Sequence, residues 1–309
     1  MALLFQSAVD SAPHWRRELT RLEPALDIRV WPATGIPDEI DYALVWRPEP
    51  GLLGSLPNLK LILSLGAGID HILRDPQLPR DVPIVRLVDP HLSNAMGEYV
   101  ALQVLRLHRR DLDYQAQQRA GIWRELPQKN AEARPIGLLG FGEIGQNVGR
   151  KLAALGFPVS GWSRRGRAVA GFATYAGAAG LTQLLGGSEI LVCLLPLTPE
   201  TRGILCTATF EALPSGAGLV NAGRGAHLVE DDLIPALDRG RLSAAVLDVF
   251  REEPLPSGHP FWHHPRILLT PHIAAATNPA TAAAIVLDNI RRFECGLPLK
   301  NRVDPAQGY

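Results

Sequence analysis

The sequence predicts an α/β protein organised on a doubly wound parallel sheet. Three observations carry this: an apolar strand that turns on glycines into an amphipathic helix, a second strand directly after it, and strand–helix alternation on both sides. The run Arg134-Pro135-Ile136-Gly137-Leu138-Leu139-Gly140-Phe141-Gly142-Glu143-Ile144-Gly145 holds the turn. Gly140 can take the positive φ of a tight corner, Gly142 lets backbone approach a pyrophosphate, and Gly145 lets the helix sit close to the sheet. The helix predicted from Glu143 to about Leu155, with Ile144, Val148 and Leu152 inward, then offers its first N–H groups to phosphate. A G-x-G-x-x-G run alone also serves plain structural corners. The strand Pro158–Trp162 beyond it supplies the βαβ context of a Rossmann-type dinucleotide site.

The end of that second strand narrows the cofactor. A sheet preferring NAD presents an Asp or Glu to the ribose about 20 residues past the glycines. Here stand Ser163-Arg164-Arg165, then Arg167, with no acidic residue between Glu143 and Glu189. A guanidinium binds a 2′-phosphate through two N–H donors, whereas a carboxylate is what a 2′-hydroxyl requires. The expectation is NADP(H) in preference to NAD(H), against the plain reading of a solvated basic loop.

The remaining elements follow in chain order. Residues 1–96 alternate short apolar runs (Leu3–Phe5, Ile28–Trp31, Tyr42–Trp46, Leu61–Leu65) with a helix from Pro13 to Leu22, a small parallel α/β sheet. Two strand ends within it draw notice. Val45-Trp46-Arg47-Pro48 brings a cation and an aromatic to a C-terminal edge, where open α/β sheets bind ligands; it reads equally as a surface Arg beside a packed Trp. Leu65-Gly66-Ala67-Gly68-Ile69-Asp70 is a second glycine turn whose amides suit a carboxylate, or a plain corner. One long helix is predicted over 93–120, a polar loop over 121–133, and a surface loop over the Gly/Ala-rich 168–180. Strands follow at Glu189–Thr198 with Pro196 marking the end, at Ala217–Val220, Ala244–Val249 and Ile267–Thr270, with helices at Glu230–Arg239 and about Pro279–Cys295.

Composition bounds the function. At 309 residues, two domains are expected. With 46% hydrophobic and 20% charged residues, and 31 basic against 31 acidic, the chain has no electrostatic reason to bind nucleic acid or an anionic membrane. Cys193, Cys206 and Cys295 have no C-x-x-C spacing, so neither a disulfide framework nor a metal site is expected. The opening Ala2-Leu3-Leu4-Phe5 lacks a basic leader, and no apolar run approaches a membrane span, so a cytoplasmic enzyme is expected.

Three residues past strand ends could carry chemistry, although each alone also reads as an ordinary loop or surface residue. They are Arg224 in Asn221-Ala222-Gly223-Arg224-Gly225, Glu253, and His272 after Pro271. Together with a nicotinamide they would suffice to reduce a carbonyl. Hydride arriving at carbon leaves charge on oxygen, which an imidazolium at His272 would neutralise. A carboxylate at Glu253 would favour that imidazolium and fix its orientation, and Arg224 would polarise the carbonyl and grip a substrate carboxylate.

These motifs together resemble the D-2-hydroxyacid dehydrogenase family over nearly the whole chain. The resemblance runs through Tyr42–Trp46, Leu65–Gly68, Gly140–Gly145, Gly161–Arg164 and Leu195-Pro196-Leu197-Thr198-Pro199-Glu200-Thr201. It continues through Asn221–Gly225, Leu247–Phe250, Glu253–Pro256, Thr270–His272 and the tail 303–309. It implies a dinucleotide-binding domain (97–274) inserted into a smaller flavodoxin-like α/β substrate domain (1–96 and 275–309). It further implies a catalytic Arg224/Glu253/His272 set, substrate carboxylate held by the amides of Ala67 and Gly68, and a pocket lined by Trp46 and Arg47. The cofactor would lie along Gly140, Phe141, Gly142, Glu143, Ile144, Gly145, Ser163, Arg164, Arg165, Leu195, Pro196, Thr198, Ala222 and Gly223, with Asp248 at its nicotinamide end. A homodimer is implied, with the long helix and Trp123 near the contact. The activity implied is NADPH-dependent reduction of small 2-oxo acids such as glyoxylate and hydroxypyruvate. The alternative is a dinucleotide-sensing, partner-binding protein on the same fold, which would have no use for a proton donor.

Overall fold

Both sheets owe their form to short apolar runs that bury side chains on alternate faces. The computed structural model describes residues 2–304, so part of the tail 303–309 that carries the resemblance lies outside the described residues. In chain order the elements are β1 (Ala2–Ser7), α1 (Ala12–Leu22), β2 (Asp27–Val30), β3 (Ile40–Trp46), β4 (Leu61–Ser64), α2 (Asp70–Leu73) and β5 (Ile84–Val85). Then come α3 (Pro90–His108), α4 (Asp111–Arg119), β6 (Ile136–Leu139), α5 (Glu143–Ala154), β7 (Val159–Trp162), β8 (Ala173–Tyr175), α6 (Gly177–Gly186) and β9 (Ile190–Cys193). The rest are α7 (Thr207–Ala212), β10 (Ala217–Asn221), α8 (Glu230–Asp238), β11 (Leu242–Leu247), β12 (Ile267–Leu269) and α9 (Pro279–Glu294). The chain divides at Leu92/Ser93 and at Ala276/Thr277 into two compact units, where the sequence places the breaks at 96/97 and 274/275.

The first unit, up to Leu92 and from Thr277 on, carries five parallel strands in the order β2-β1-β3-β4-β5, the flavodoxin-like winding. Leu3 and Phe5 of β1 point to one face, where Trp15 and Leu19 of α1 and Ala283, Val286 and Ile290 of α9 cover them. Leu4 points to the other, against Ala43, Val45, Ile62 and Leu53. Both covering helices have side-chain N-caps: Ser11 accepts from the His14 amide at 3.4 Å, and Asn278 from the Ala280 amide at 3.0 Å.

The second unit, Ser93–Ala276, carries seven parallel strands in the order β12-β11-β10-β9-β6-β7-β8. The winding reverses between β6 and β9, which makes this a Rossmann-type sheet extended by one strand. Val100 and Val104 of α3 and Val148 and Leu152 of α5 cover one face. Leu184 and Leu185 of α6, Phe210 of α7 and Leu233 and Leu237 of α8 cover the other.

Three expectations are corrected. The single helix over 93–120 is two, because Arg110 takes φ +59°; Asp111 and Asp113 then open α4, with Arg110 Nε 2.8 Å from Asp113 Oδ2. The tract 168–180 is not all loop. It holds the edge strand β8 and the start of α6, whose stability comes from burying Leu184 and Leu185 rather than from the Gly/Ala residues that mask it. The strand expected over 189–198 stops at Cys193, since pairing with β6 and β10 ends there and Leu194–Thr198 runs on as loop.

Phe141 is a packing residue within the glycine turn. Its ring is buried in T-shaped contact with Phe172 (centroids 5.3 Å apart) and lies over Gly161 of β7. A Cβ at Gly161 would sit 2.1 Å from Phe141 Cγ, closer than any real contact. Gly161→Ala therefore overpacks this layer and is expected to lower the unfolding free energy by about 1–3 kcal/mol in chemical denaturation. A variant as stable as the parent would mean that the ring has room to move.

Candidate active site

The glycine turn meets the requirements of a pyrophosphate site. Gly140 has φ +97°, and a Cβ on it would meet Leu194 O at 2.8 Å, so only glycine fits. Gly145 passes so close to Gly140 that a Cβ would lie 2.0 Å from its carbonyl oxygen, which seats α5 on the turn. Gly142 differs: a Cβ there would meet nothing within 4 Å, so the turn opens onto free space. Gly142 is the N-cap of α5 and contributes no side-chain hydrogen bond. The first bond of the helix runs from Gln146 N to Gly142 O at 2.9 Å, leaving the amides of Glu143, Ile144 and Gly145 ahead of it for an anion. At the end of β7, Ser163 is half-buried and anchored by its N–H to Tyr175 O (3.1 Å), while Arg164 and Arg165 are exposed beyond it. Arg164 lies within electrostatic reach of Glu200, whose carboxyl is held below its ordinary range first by the Thr198 hydroxyl and last by Arg164. These residues fit a dinucleotide with a 2′-phosphate.

The loop after β9 and the loop after β10 are tied together by His227, a residue the sequence reading passed over. His227 is wholly buried. Its Nδ1 accepts the Arg224 N–H at 3.0 Å, so the proton sits on Nε2, which donates to Pro196 O at 3.3 Å. Thr201 braces the same loop, its hydroxyl accepting the Thr198 N–H and donating to Pro196 O, both at 2.8 Å. Leu195 is buried, and the Ala222 N–H bonds to Cys193 O at 3.1 Å. Asn221 accepts the Gly223 N–H at 3.2 Å and donates to Arg224 O at 3.1 Å, and Arg224 Nη1 reaches Gly223 O at 2.8 Å.

The expected catalytic residues come from three neighbouring strand ends of one sheet. Arg224 follows β10, Glu253 follows β11, and His272 follows β12. His272 Nδ1 lies 2.9 Å from Glu253 Oε2, and Glu253 Oε1 accepts the Phe250 N–H at 3.0 Å. Gly225 packs on the backbone of Phe250, where a Cβ would come within 2.0 Å of the carbonyl oxygen, so the Arg224 turn abuts the segment leading to Glu253.

His272 has φ +55°, a conformation costly for a residue with a Cβ and one that must be held by its surroundings. Asp248, just past β11 and buried, holds it. The Asp248 carbonyl accepts the His272 N–H; its Oδ1 accepts from the Ile273 N–H (2.9 Å) and the Thr270 hydroxyl (2.6 Å), and its Oδ2 from the Ala274 N–H (2.9 Å). Tyr99 reaches the Thr270 hydroxyl at 2.6 Å. Burial pushes the Asp248 carboxyl up, opposed first by Thr270, then by the two amides and the His272 imidazole.

In the other unit, Trp46 and Arg47 end β3, and Gly66-Ala67-Gly68 follow β4, its neighbour. Gly66 is required because Trp46 lies on it: a Cβ would be 2.6 Å from the indole. The turn's carbonyls are engaged, Leu65 O by the Thr277 hydroxyl (2.6 Å), Gly66 O by the Leu87 N–H (3.1 Å) and Gly68 O by the Ser64 hydroxyl (3.2 Å). Among the described residues no acceptor lies on the Ala67 or Gly68 amides. No group of three or more His, Cys, Asp or Glu able to hold a metal occurs among the described residues, and no helix there is long and apolar enough to cross a membrane.

A doubly wound sheet with an uncapped glycine turn at its reversal point is a dinucleotide-binding fold, and comparison with known proteins agrees. Residues 101–274 match the model of the D-isomer specific 2-hydroxyacid dehydrogenase NAD-binding domain. The chain is 43% identical, over the full length of both, to glyoxylate/hydroxypyruvate reductase A of Yersinia enterocolitica. It superposes with a TM-score of 0.95, at 43% identity, on the D-isomer specific 2-hydroxyacid dehydrogenase of Xanthobacter autotrophicus in complex with NADPH, covering 100% of this chain and 99% of that one. It superposes at 0.93, with 41% identity and the same coverage, on the NADPH-dependent glyoxylate/hydroxypyruvate reductase of Sinorhizobium meliloti bound to NADP and sulfate. The chain belongs to the D-isomer specific 2-hydroxyacid dehydrogenase family.

Asp248→Ala would strand the buried amide of Ala274 and remove the partner of the part-buried amide of Ile273. The expected loss is roughly 1–3 kcal/mol, most of it from the Ala274 amide, read by chemical denaturation. A change under about 0.5 kcal/mol would show that Asp248 does not hold this segment.

Proposed function

We propose that the protein is an NADPH-dependent reductase that converts small 2-oxo acids such as glyoxylate and hydroxypyruvate to 2-hydroxy acids. The observation that carries this is the 2.9 Å contact between His272 Nδ1 and Glu253 Oε2 at strand ends of the dinucleotide sheet. The bound dinucleotide supplies the hydride. His272, with Nδ1 committed to Glu253, gives the proton from Nε2 to the substrate oxygen, and the carboxylate offsets the imidazolium charge before transfer. Arg224 polarises the carbonyl through its guanidinium, and the Ala67 and Gly68 amides take the substrate carboxylate, with Trp46 and Arg47 beside them. Asp248 acts by holding the His272 backbone in place, at the end of the site where the nicotinamide would lie. Arg164 and Arg165 take the 2′-phosphate, and the helix amides from Glu143 to Gly145 take the pyrophosphate.

In this reading 97–274 is the dinucleotide domain and 1–96 with 275–309 the substrate domain, and the enzyme is cytoplasmic. It acts as a homodimer joined near the α3–α4 region and Trp123. The full exposure of Trp123, with Ile122 and Leu102 about half exposed, supports an apolar contact there. The sensor alternative is disfavoured by the names of full-length relatives and by a His–Glu pair that sensing would not need.

Following NADPH absorbance with glyoxylate and hydroxypyruvate tests the activity; no oxidation with either would defeat it. In Arg164→Ser/Arg165→Ser the KM for NADPH is expected to rise by roughly 10- to 100-fold, with KM for NADH within about threefold of the parent, each charge-assisted pair being worth about 1.5–3 kcal/mol. Equal changes for both cofactors would show that neither arginine reads the 2′-phosphate.

A further inference from the structure

The turn proposed to hold the substrate carboxylate is fastened to the end of β3 by a side chain with no assigned role. His71, in α2, is half-buried, and its ring lies against Trp46 with centroids 4.3 Å apart. Its Nδ1 accepts the Arg47 N–H at 3.1 Å. Its Nε2 lies 3.2 Å from Gly68 O, and since a carbonyl only accepts, Nε2 carries the proton. One neutral imidazole thus spans two loops: on one side Arg47, on the other the carbonyl of Gly68.

Arg47 needs such a hold. It has φ +49°, which a residue with a Cβ keeps only when its surroundings impose it, and the bond to His71 is made by the amide of that same residue. Gly68 O also takes the Ser64 hydroxyl, so the peptide after Gly68 is held from two sides. Trp46, pressed on Gly66 from one face and on His71 from another, closes the set. The arrangement recurs in the other unit, where His227 accepts the Arg224 N–H through Nδ1 and donates to Pro196 O through Nε2. Each arginine assigned to substrate therefore has its backbone amide fixed by a neutral imidazole whose other nitrogen holds an adjoining loop.

We propose that His71 is a positioning residue for substrate: by accepting the Arg47 N–H it holds the Trp46–Arg47 strand end in the geometry that receives a carboxylate, and its bond to Gly68 O orients the imidazole for that contact. This rests on the reading of the chain as a 2-oxo acid reductase. It does not touch the reacting atoms, so its removal acts on substrate affinity more than on turnover, and leaves the dinucleotide sheet alone.

Two polar variants separate the bonds. The side-chain oxygen of His71→Asn can stand where Nδ1 stands and keep the Arg47 anchor, whereas His71→Gln places its amide near the Nε2 position and loses that anchor. For glyoxylate reduction, His71→Gln is expected to raise KM about 5- to 30-fold with kcat within about threefold, while His71→Asn stays within about threefold of the parent in both. The inhibition constant of oxalate, a carboxylate ligand, should follow KM across the series, and the NADPH dissociation constant should not move. A merely structural residue would lower thermal stability in both variants without separating Asn from Gln. A His71→Gln KM equal to the parent's, or equal increases in the two variants, overturns the inference. A parent enzyme that oxidises no NADPH with glyoxylate or hydroxypyruvate overturns the reductase reading instead.

Discussion

The proposed chemistry depends on one contact, the imidazole of His272 bonded to the carboxylate of Glu253. Reduction of a carbonyl requires a proton at the oxygen as hydride reaches the carbon, and a neutral imidazole with its lone pair toward substrate cannot supply it. A carboxylate on Nδ1 fixes which nitrogen faces outward and offsets the positive charge there. In the proposed reaction the pair needs the His272 backbone in a conformation that side-chain sterics oppose, and the nearby Asp248, with its carbonyl and both carboxylate oxygens bonded to the 270–274 segment, holds it there.

That arrangement follows from parallel strand order. Adjacent strands β10, β11 and β12 end at the same edge, so the residues just past them are collected without any long loop having to fold back. The same edge carries the glycine turn after β6 and the braced loop after β9, at the point where the winding reverses. Residues distant in sequence, 140, 196, 224, 253 and 272, share one edge because β-strands in register bring their C-terminal ends together.

Much of this was legible in the chain, and what was not has physical reasons. The glycine turn was readable because two of its glycines answer steric demands, φ +97° at Gly140 and a backbone approach at Gly145, while Gly142 leaves open space. The arginines after β7 were readable because the absence of any carboxylate between Glu143 and Glu189 is a local fact. The break at Arg110 was hidden, since a non-glycine residue at positive φ leaves no compositional mark. The edge strand β8 was hidden because three residues paired on one side need little hydrophobic pattern. His71 and His227 were missed because their work is done on backbone groups: each bridges an N–H and a carbonyl, one of them near in sequence and the other in a distant loop. The only trace in sequence is a histidine a few residues after a glycine-containing turn, a pattern that surface histidines share.

The most direct measurement is a double-mutant cycle on single-turnover NADPH oxidation with saturating glyoxylate, comparing the parent, His272→Gln, Glu253→Gln and the double variant. If the two side chains act as one proton-delivering unit, each single change slows the step, by roughly 10²–10⁴ for His272→Gln, and the double variant is no slower than His272→Gln alone. Losses that multiply in the double variant would show that the two act independently and would contradict the account.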